Sequence, residues 1–65
     1  MLIKLNGQDR ETPEGTSILT LLETLKLRPQ NVAVELNRRL LKTEKYDQPL
    51  KTGDELEVVT FVGGG

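Results

Sequence analysis

Thr16-Ser17-Ile18-Leu19-Thr20-Leu21-Leu22-Glu23-Thr24-Leu25 is the stretch on which the fold turns. Ile18, Leu21, Leu22 and Leu25 stand at i, i+3, i+4 and i+7, which gathers them into one apolar stripe along a helix. Thr16 or Ser17 can cap its start. Pro29 closes the region, because the residue before a proline avoids helical angles. A helix of about 9–10 residues is too short to persist alone and must lie on something. The segments on either side show what that is.

On the N-terminal side, Met1, Ile3 and Leu5 alternate with Leu2 and Lys4, the period of a half-buried strand. Asn6-Gly7 follows, and both residues tolerate the positive φ of a type I′ hairpin turn. A second strand returns through about Gln8 to Thr12. It is nearly all polar and reads as an edge, where charge discourages pairing with other chains. Pro13-Glu14-Gly15 breaks it ahead of the helix. On the C-terminal side, Val32-Ala33-Val34-Glu35-Leu36 is a strand with Val32, Val34 and Leu36 on one face. Asn37-Arg38 turns into a short strand at about Arg39–Leu41. Arg at the second turn position is less favourable than Gly. Thr43 to Gln48 is polar apart from Tyr46 and reads as a loop with one helical turn. Leu50 to Asp54 is a turn, with Gly53 supplying freedom in φ. The last strand is Glu55 to Val62, with Leu56, Val58, Thr60 and Val62 on one face and Glu55, Glu57, Val59 and Phe61 on the other.

The order is strand, strand, helix, strand, strand, strand. One main helix across one face of a mixed sheet of about five strands is an α+β architecture. A hairpin at each end with a helix between them is the β-grasp, or ubiquitin-like, arrangement. Residues 1–62 are expected to form that domain and residues 63–65 a flexible glycine tail.

The chain has 65 residues, with no Cys and no His. No disulfide can staple so small a core. The usual zinc spacings and the commonest general base are missing too. Ser17 has no His or Cys to complete a dyad, and capping accounts for it. Asp9, Glu11 and Glu14 read as solvated hairpin surface and Asp54 as a turn acceptor, so no metal site is expected and catalysis by this chain is not. Net charge is −1 and aromatic content 3%, against both a phosphate-binding surface and a base-stacking platform. Arg38-Arg39 with Lys42 reads as a solvated hairpin end, and no nucleic acid is expected as a partner. No run of about 18 apolar residues exists to span a membrane. The first residues are too short for a signal segment, so the expected compartment is the cytoplasm.

The stretch Thr60-Phe61-Val62-Gly63-Gly64-Gly65 carries the functional expectation. A thread of glycines running straight from a strand can enter a narrow channel and lie against backbone that a Cβ would block. What it delivers is the α-carboxylate of Gly65. Such a group has an ordinary pKa of about 3.5 and is an anion at neutral pH. As an anion it is a poor electrophile and needs activation, for example as an acyl-adenylate made with ATP.

These features resemble the ThiS family of sulfur carrier proteins of thiamine biosynthesis. The resemblance rests on Asn6-Gly7, on Val32-Ala33-Val34-Glu35-Leu36-Asn37, on Leu50-x-x-Gly53-Asp54-x-Leu56 and on Phe61-Val62-Gly63-Gly64-Gly65. Arg38-Arg39 departs from it, since the family often has Gly-Glu there. The resemblance implies a carrier that is not itself an enzyme and binds no cofactor. An E1-like adenylating enzyme (ThiF-type) would use MgATP to convert the Gly65 carboxylate to an acyl-adenylate. A sulfur donor fed by a cysteine desulfurase would replace AMP to give a thiocarboxylate. Thiazole synthase (ThiG-type) would take that sulfur for the thiazole ring. Gly63 and Gly64 would enter the partners' active sites, and the free carrier would be a monomer. Val59 and Phe61, pointing away from the helix-covered core, are the expected docking residues, with Phe61 the stronger anchor.

Three other readings stay open at this level. Carriers for molybdopterin synthesis or tRNA thiolation end in Gly-Gly on the same fold. Pro13-Glu14-Gly15-Thr16 and Leu50 to Val58 also resemble TGS domains, non-covalent RNA- or ligand-binding modules. Conjugation to lysines, as in ubiquitin, would use the same activated carboxylate.

Overall fold

The computed structural model describes residues 1–61. Strands β1 (Leu2–Leu5) and β2 (Gln8–Glu11) form the first hairpin, with Asn6 at φ 50° and Gly7 at φ 83° in the turn between them. Helix α1 (Ile18–Thr24) follows, then β3 (Val32–Leu36), β4 (Arg39–Leu40) and β5 (Glu55–Thr60). Single turns of 3-10 helix at Pro29–Asn31 and Thr43–Lys45 join them. The five strands make one mixed sheet in the order β2-β1-β5-β3-β4. β1 and β5 are parallel, and the β1–β2, β3–β4 and β3–β5 pairs are antiparallel. The strand nearest the C-terminus therefore sits at the centre of the sheet, between the two hairpins. The polar β2 is an edge, as its composition implies.

Ser17, not Thr16, caps the helix, its hydroxyl accepting from the Thr20 N–H at 3.1 Å. Thr16 instead donates its hydroxyl to the Pro13 carbonyl at 2.7 Å. The helix is seven residues long, shorter than the apolar stripe implies. It stops because Lys26 takes the left-handed conformation, φ 61°. The Leu27 N–H then bonds back to the Leu22 carbonyl at 2.8 Å and the Lys26 N–H to Glu23 at 3.0 Å. That pair of bonds is a Schellman closure, usually marked by glycine at the left-handed position. Lysine there leaves no signal in the sequence, so Pro29 looks like the stop when the helix has already ended.

Ile18, Leu21 and Leu22 pack against Ile3 of β1, Val32 and Val34 of β3 and Leu56 of β5. Tyr46 and Leu50 belong to the same core, although their segment reads as loop and turn. Their backbone is tied to the start of α1, with the Leu19 N–H bonded to the Tyr46 carbonyl at 3.0 Å and the Leu50 N–H to Thr16 at 2.8 Å. The connection from β4 to β5 thus closes one end of the core. Among the described residues no helix covers the opposite face of the sheet. Among the described residues no helix is long and apolar enough to cross a membrane.

Candidate functional site

β5 is held from both sides by main-chain ladders and, at each hairpin tip, by an asparagine side chain. On the β3 side the register runs from Leu36 opposite Leu56 to Val32 opposite Thr60. The Phe61 N–H bonds the Asn31 carbonyl at 2.8 Å, one step past the strand. On the β1 side only Lys4 and Leu5 pair with Glu55 and Leu56. There Asn6 takes over. Its N–H bonds the Leu56 carbonyl at 2.8 Å. Its side-chain oxygen accepts from the Val58 N–H at 2.8 Å, and its side-chain nitrogen faces the Val58 carbonyl at 3.4 Å. Asn37 does the matching job at the other end, accepting from the Glu55 N–H at 2.9 Å and donating to Asp54 at 3.2 Å.

Asn37 and Arg38 stand at φ 52° and 71°, so the second hairpin closes through two left-handed residues. The turn forms at the position expected, with Arg38 where glycine is the favoured residue. Sequence reasoning treats Asn6 and Asn37 as turn formers. Their second role, as surrogate strand partners for β5, depends on which strand passes beside each tip, and that is a property of the assembled sheet.

Along β5, Leu56 is buried and Val58 half-buried on the helix side. Val59 and Phe61 lie on the open side, 59% and 58% exposed. Leu40 of β4 is 73% exposed and pairs beside Glu35. Ala33, Glu35, Leu40, Glu57 and Val59 line a groove on this face. Ala33, Leu40 and Val59, with Phe61 one step past the strand, therefore form an apolar end of the open sheet. Leu40 is missing from the docking set read from the sequence, because its two-residue strand shows no alternation. The candidate thread and attachment point, Gly63, Gly64 and Gly65, lie outside the described residues, as does the 62/63 domain boundary. Among the described residues no cluster of three or more His, Cys, Asp or Glu side chains could hold a metal ion.

One helix laid over a five-stranded mixed sheet, with the last strand central, defines a ubiquitin-like β-grasp protein. The ThiS family model matches residues 3–65, and the chain belongs to the ThiS family. The crystal structure of the thiamine biosynthesis protein ThiS from Geobacter metallireducens superposes with a TM-score of 0.81 at 35% identity, covering 100% of both chains. The sulfur carrier protein ThiS of Thermus thermophilus is 38% identical over 65 residues, 98% of this chain and 100% of that one. A thiazole synthase of Magnetococcus marinus is 39% identical over 66 residues, which is 100% of this chain but 20% of the length of that relative. With Arg38-Arg39 after Asn37, the β3–β4 hairpin forms, Glu35 pairing with Leu40 and Leu36 with Arg39.

Proposed function

We propose that this chain is a sulfur carrier for formation of the thiazole ring of thiamine, and that the Gly65 α-carboxylate is its working group. The carboxylate attacks ATP on an E1-like adenylating enzyme, giving an acyl-adenylate and pyrophosphate. A persulfide charged by a cysteine desulfurase then adds to the acyl carbon, and AMP leaves. A second thiol cleaves the resulting acyl disulfide at its S–S bond, taking the donor sulfur as a disulfide. The product is a thiocarboxylate at Gly65. Thiazole synthase takes the sulfur, and water restores the carboxylate. The chain does none of this chemistry itself. It presents the group, and the cytoplasm, which holds the ATP, is where it would work.

The observation that carries the reading is membership of the ThiS family along a match that runs through residue 65. Two further points support it. With no Cys or His in the chain, sulfur has no side-chain thiol to ride on. The relative from Magnetococcus marinus is named a thiazole synthase and carries a stretch like this chain within its length. A carrier and the enzyme it serves gain from being joined, since linkage raises their effective concentration for one another. That favours thiazole synthase as consumer over molybdopterin or tRNA-thiolation enzymes. Val59, Phe61 and Leu40 supply the surface on which both enzymes dock, and Gly63-Gly64 the thread that reaches their active sites.

The test is to incubate the protein with MgATP, its adenylating enzyme and a sulfide source, then alkylate and read the C-terminal fragment by mass spectrometry. Replacing oxygen by sulfur on Gly65 is the expected result. Alkylation is needed because oxidation of Met1 changes the intact mass by nearly the same amount. An unmodified Gly65, with the enzyme active on another carrier, would defeat the proposal. Deleting Gly64-Gly65 should abolish loading and leave the fold intact, whereas a non-covalent binding module would be indifferent.

A further inference from the structure

We infer that the adenylating enzyme grips this carrier by pairing an extended segment of its own backbone with the Thr60 edge of β5, in the notch beyond Asn6. The inference rests on the carrier reading above and concerns how the thread is held.

The ladder directions place this edge. The Phe61 N–H bonds Asn31 and the Asn37 N–H bonds Glu55, so odd-numbered residues of β5 turn their main-chain groups toward β3. Alternation then sends those of Leu56, Val58 and Thr60 to the β1 side. Leu56 is met there by Asn6 main chain, and Val58 by the Asn6 side chain. β1 has ended at Leu5, and its hairpin turns away. β5 continues to Thr60, kept extended by Val32 and by the Phe61 bond on its other flank. The N–H and C=O of Thr60 thus point into the space past Asn6, along a ladder that the described residues begin and do not continue.

An enzyme that draws the next residues into its site runs its own chain beside them. Glycines offer no side chains to recognise, so their register has to be fixed through main-chain bonds, and strand addition supplies these. Beginning at Thr60, on the rigid part of the carrier, sets that register before the glycines enter. The exposed Val59 of β5 and Phe61, one step past the strand, flank Thr60 in the chain, so the notch adjoins the docking end.

Thr60→Pro removes an N–H that neither β1 nor β3 uses, at an edge position where proline is tolerated. Its melting temperature should match that of the parent, and kcat/KM for adenylation should fall about 10-fold, the scale of one lost interfacial hydrogen bond with its partner left unpaired. Thr60→Ala, which keeps the N–H, should stay within about 2-fold of the parent. If Thr60→Pro does not fold, a semisynthetic chain with an ester in place of the Thr60 amide carries the same test. A folded Thr60→Pro or ester variant adenylated as well as the parent overturns the inference and leaves the carrier reading standing. Loss of a dimer of the free protein with kcat/KM unchanged assigns the edge to a second copy and overturns it too. A parent chain that acquires no sulfur at Gly65 defeats the carrier reading first.

Discussion

Asn6 performs two separable tasks, and substitutions can measure each. It sits at φ 50° in the first turn, and its side chain holds Val58 of β5. Alanine forfeits both. A left-handed residue with a Cβ and no local hydrogen bonding costs about 1 kcal/mol. The 2.8 Å bond to the Val58 N–H is of good geometry but solvent-exposed, so its net value is about 1 kcal/mol. The 3.4 Å approach to the Val58 carbonyl lies beyond the usual range and adds little. Asn6→Ala should therefore destabilise by about 2 kcal/mol. Glycine relieves the φ but not the clamp, so Asn6→Gly should cost about 1 kcal/mol. Aspartate keeps the φ tolerance and the accepting oxygen, so Asn6→Asp should stay within about 0.5 kcal/mol. In a domain this small, each kcal/mol moves the midpoint by about 4–8 °C, so circular-dichroism melts resolve the three variants, with urea titrations as a check. Stability ordered Asp, then Gly, then Ala is the expected result. If Asn6→Gly melts with the parent, the side chain does not hold β5. If aspartate is as damaging as alanine, the accepting oxygen is not what matters.

Leu21, 2% exposed beneath the helix, should cost about 2–5 kcal/mol as alanine, against a total of about 3–10 kcal/mol for a chain of this length. A chemical-denaturation loss below about 1 kcal/mol would contradict its place in the core. Phe61→Ala should leave the melt within about 2 °C of the parent and weaken binding to the adenylating enzyme by about 10-fold or more in titration calorimetry; a large fall in stability would mean the faces of β5 are assigned the wrong way round. Arg38→Gly relieves a left-handed residue at φ 71° and should raise stability by about 0.5–1 kcal/mol, less than the full conformational relief because glycine also loosens the unfolded chain. The Thr12 hydroxyl is buried with no hydrogen-bond partner among the described residues, so Thr12→Val should stabilise by about 1 kcal/mol, and a lower midpoint would show that the hydroxyl is satisfied in solution.

Most of the architecture was legible because its signals are local. Asn6-Gly7, the apolar stripe through Ile18, Leu21 and Leu22, and the alternation along Val32–Leu36 and Glu55–Thr60 each follow from a few neighbouring residues. The misses share the opposite property. Lys26 ends the helix in a conformation that a lysine does not advertise. Tyr46 and Leu50 enter the core because the connection folds back over Ser17, and no periodicity marks a loop that does so. Leu40 joins the open face through pairing with Glu35. The site divides in the same way. Val59 and Phe61 could be placed on an outer face by counting along one strand, whereas the notch at Thr60 needs the register of β1 against β5 and the reach of Asn6.

That register also bears on why the proposed reactive end follows this strand and not another. A strand at the sheet centre opens only when much of the domain does, whereas an edge strand can fray at little cost. A thread mounted on β2 or β4 would inherit that fraying, and its reach would vary with each local opening. Mounted on β5, its base is set by Leu56 in the core, by the β3 ladder and by two asparagines. Central strands are usually flanked along their length and offer a partner no free backbone. Here β1 stops short, Asn6 covers one more residue, and Thr60 is left facing out. The shortness of β1 therefore reconciles two demands, a rigid base for the thread and an unpaired edge beside it. Filling that edge from within, by a longer first strand, would stiffen the domain and take away the notch through which we infer the enzyme holds it.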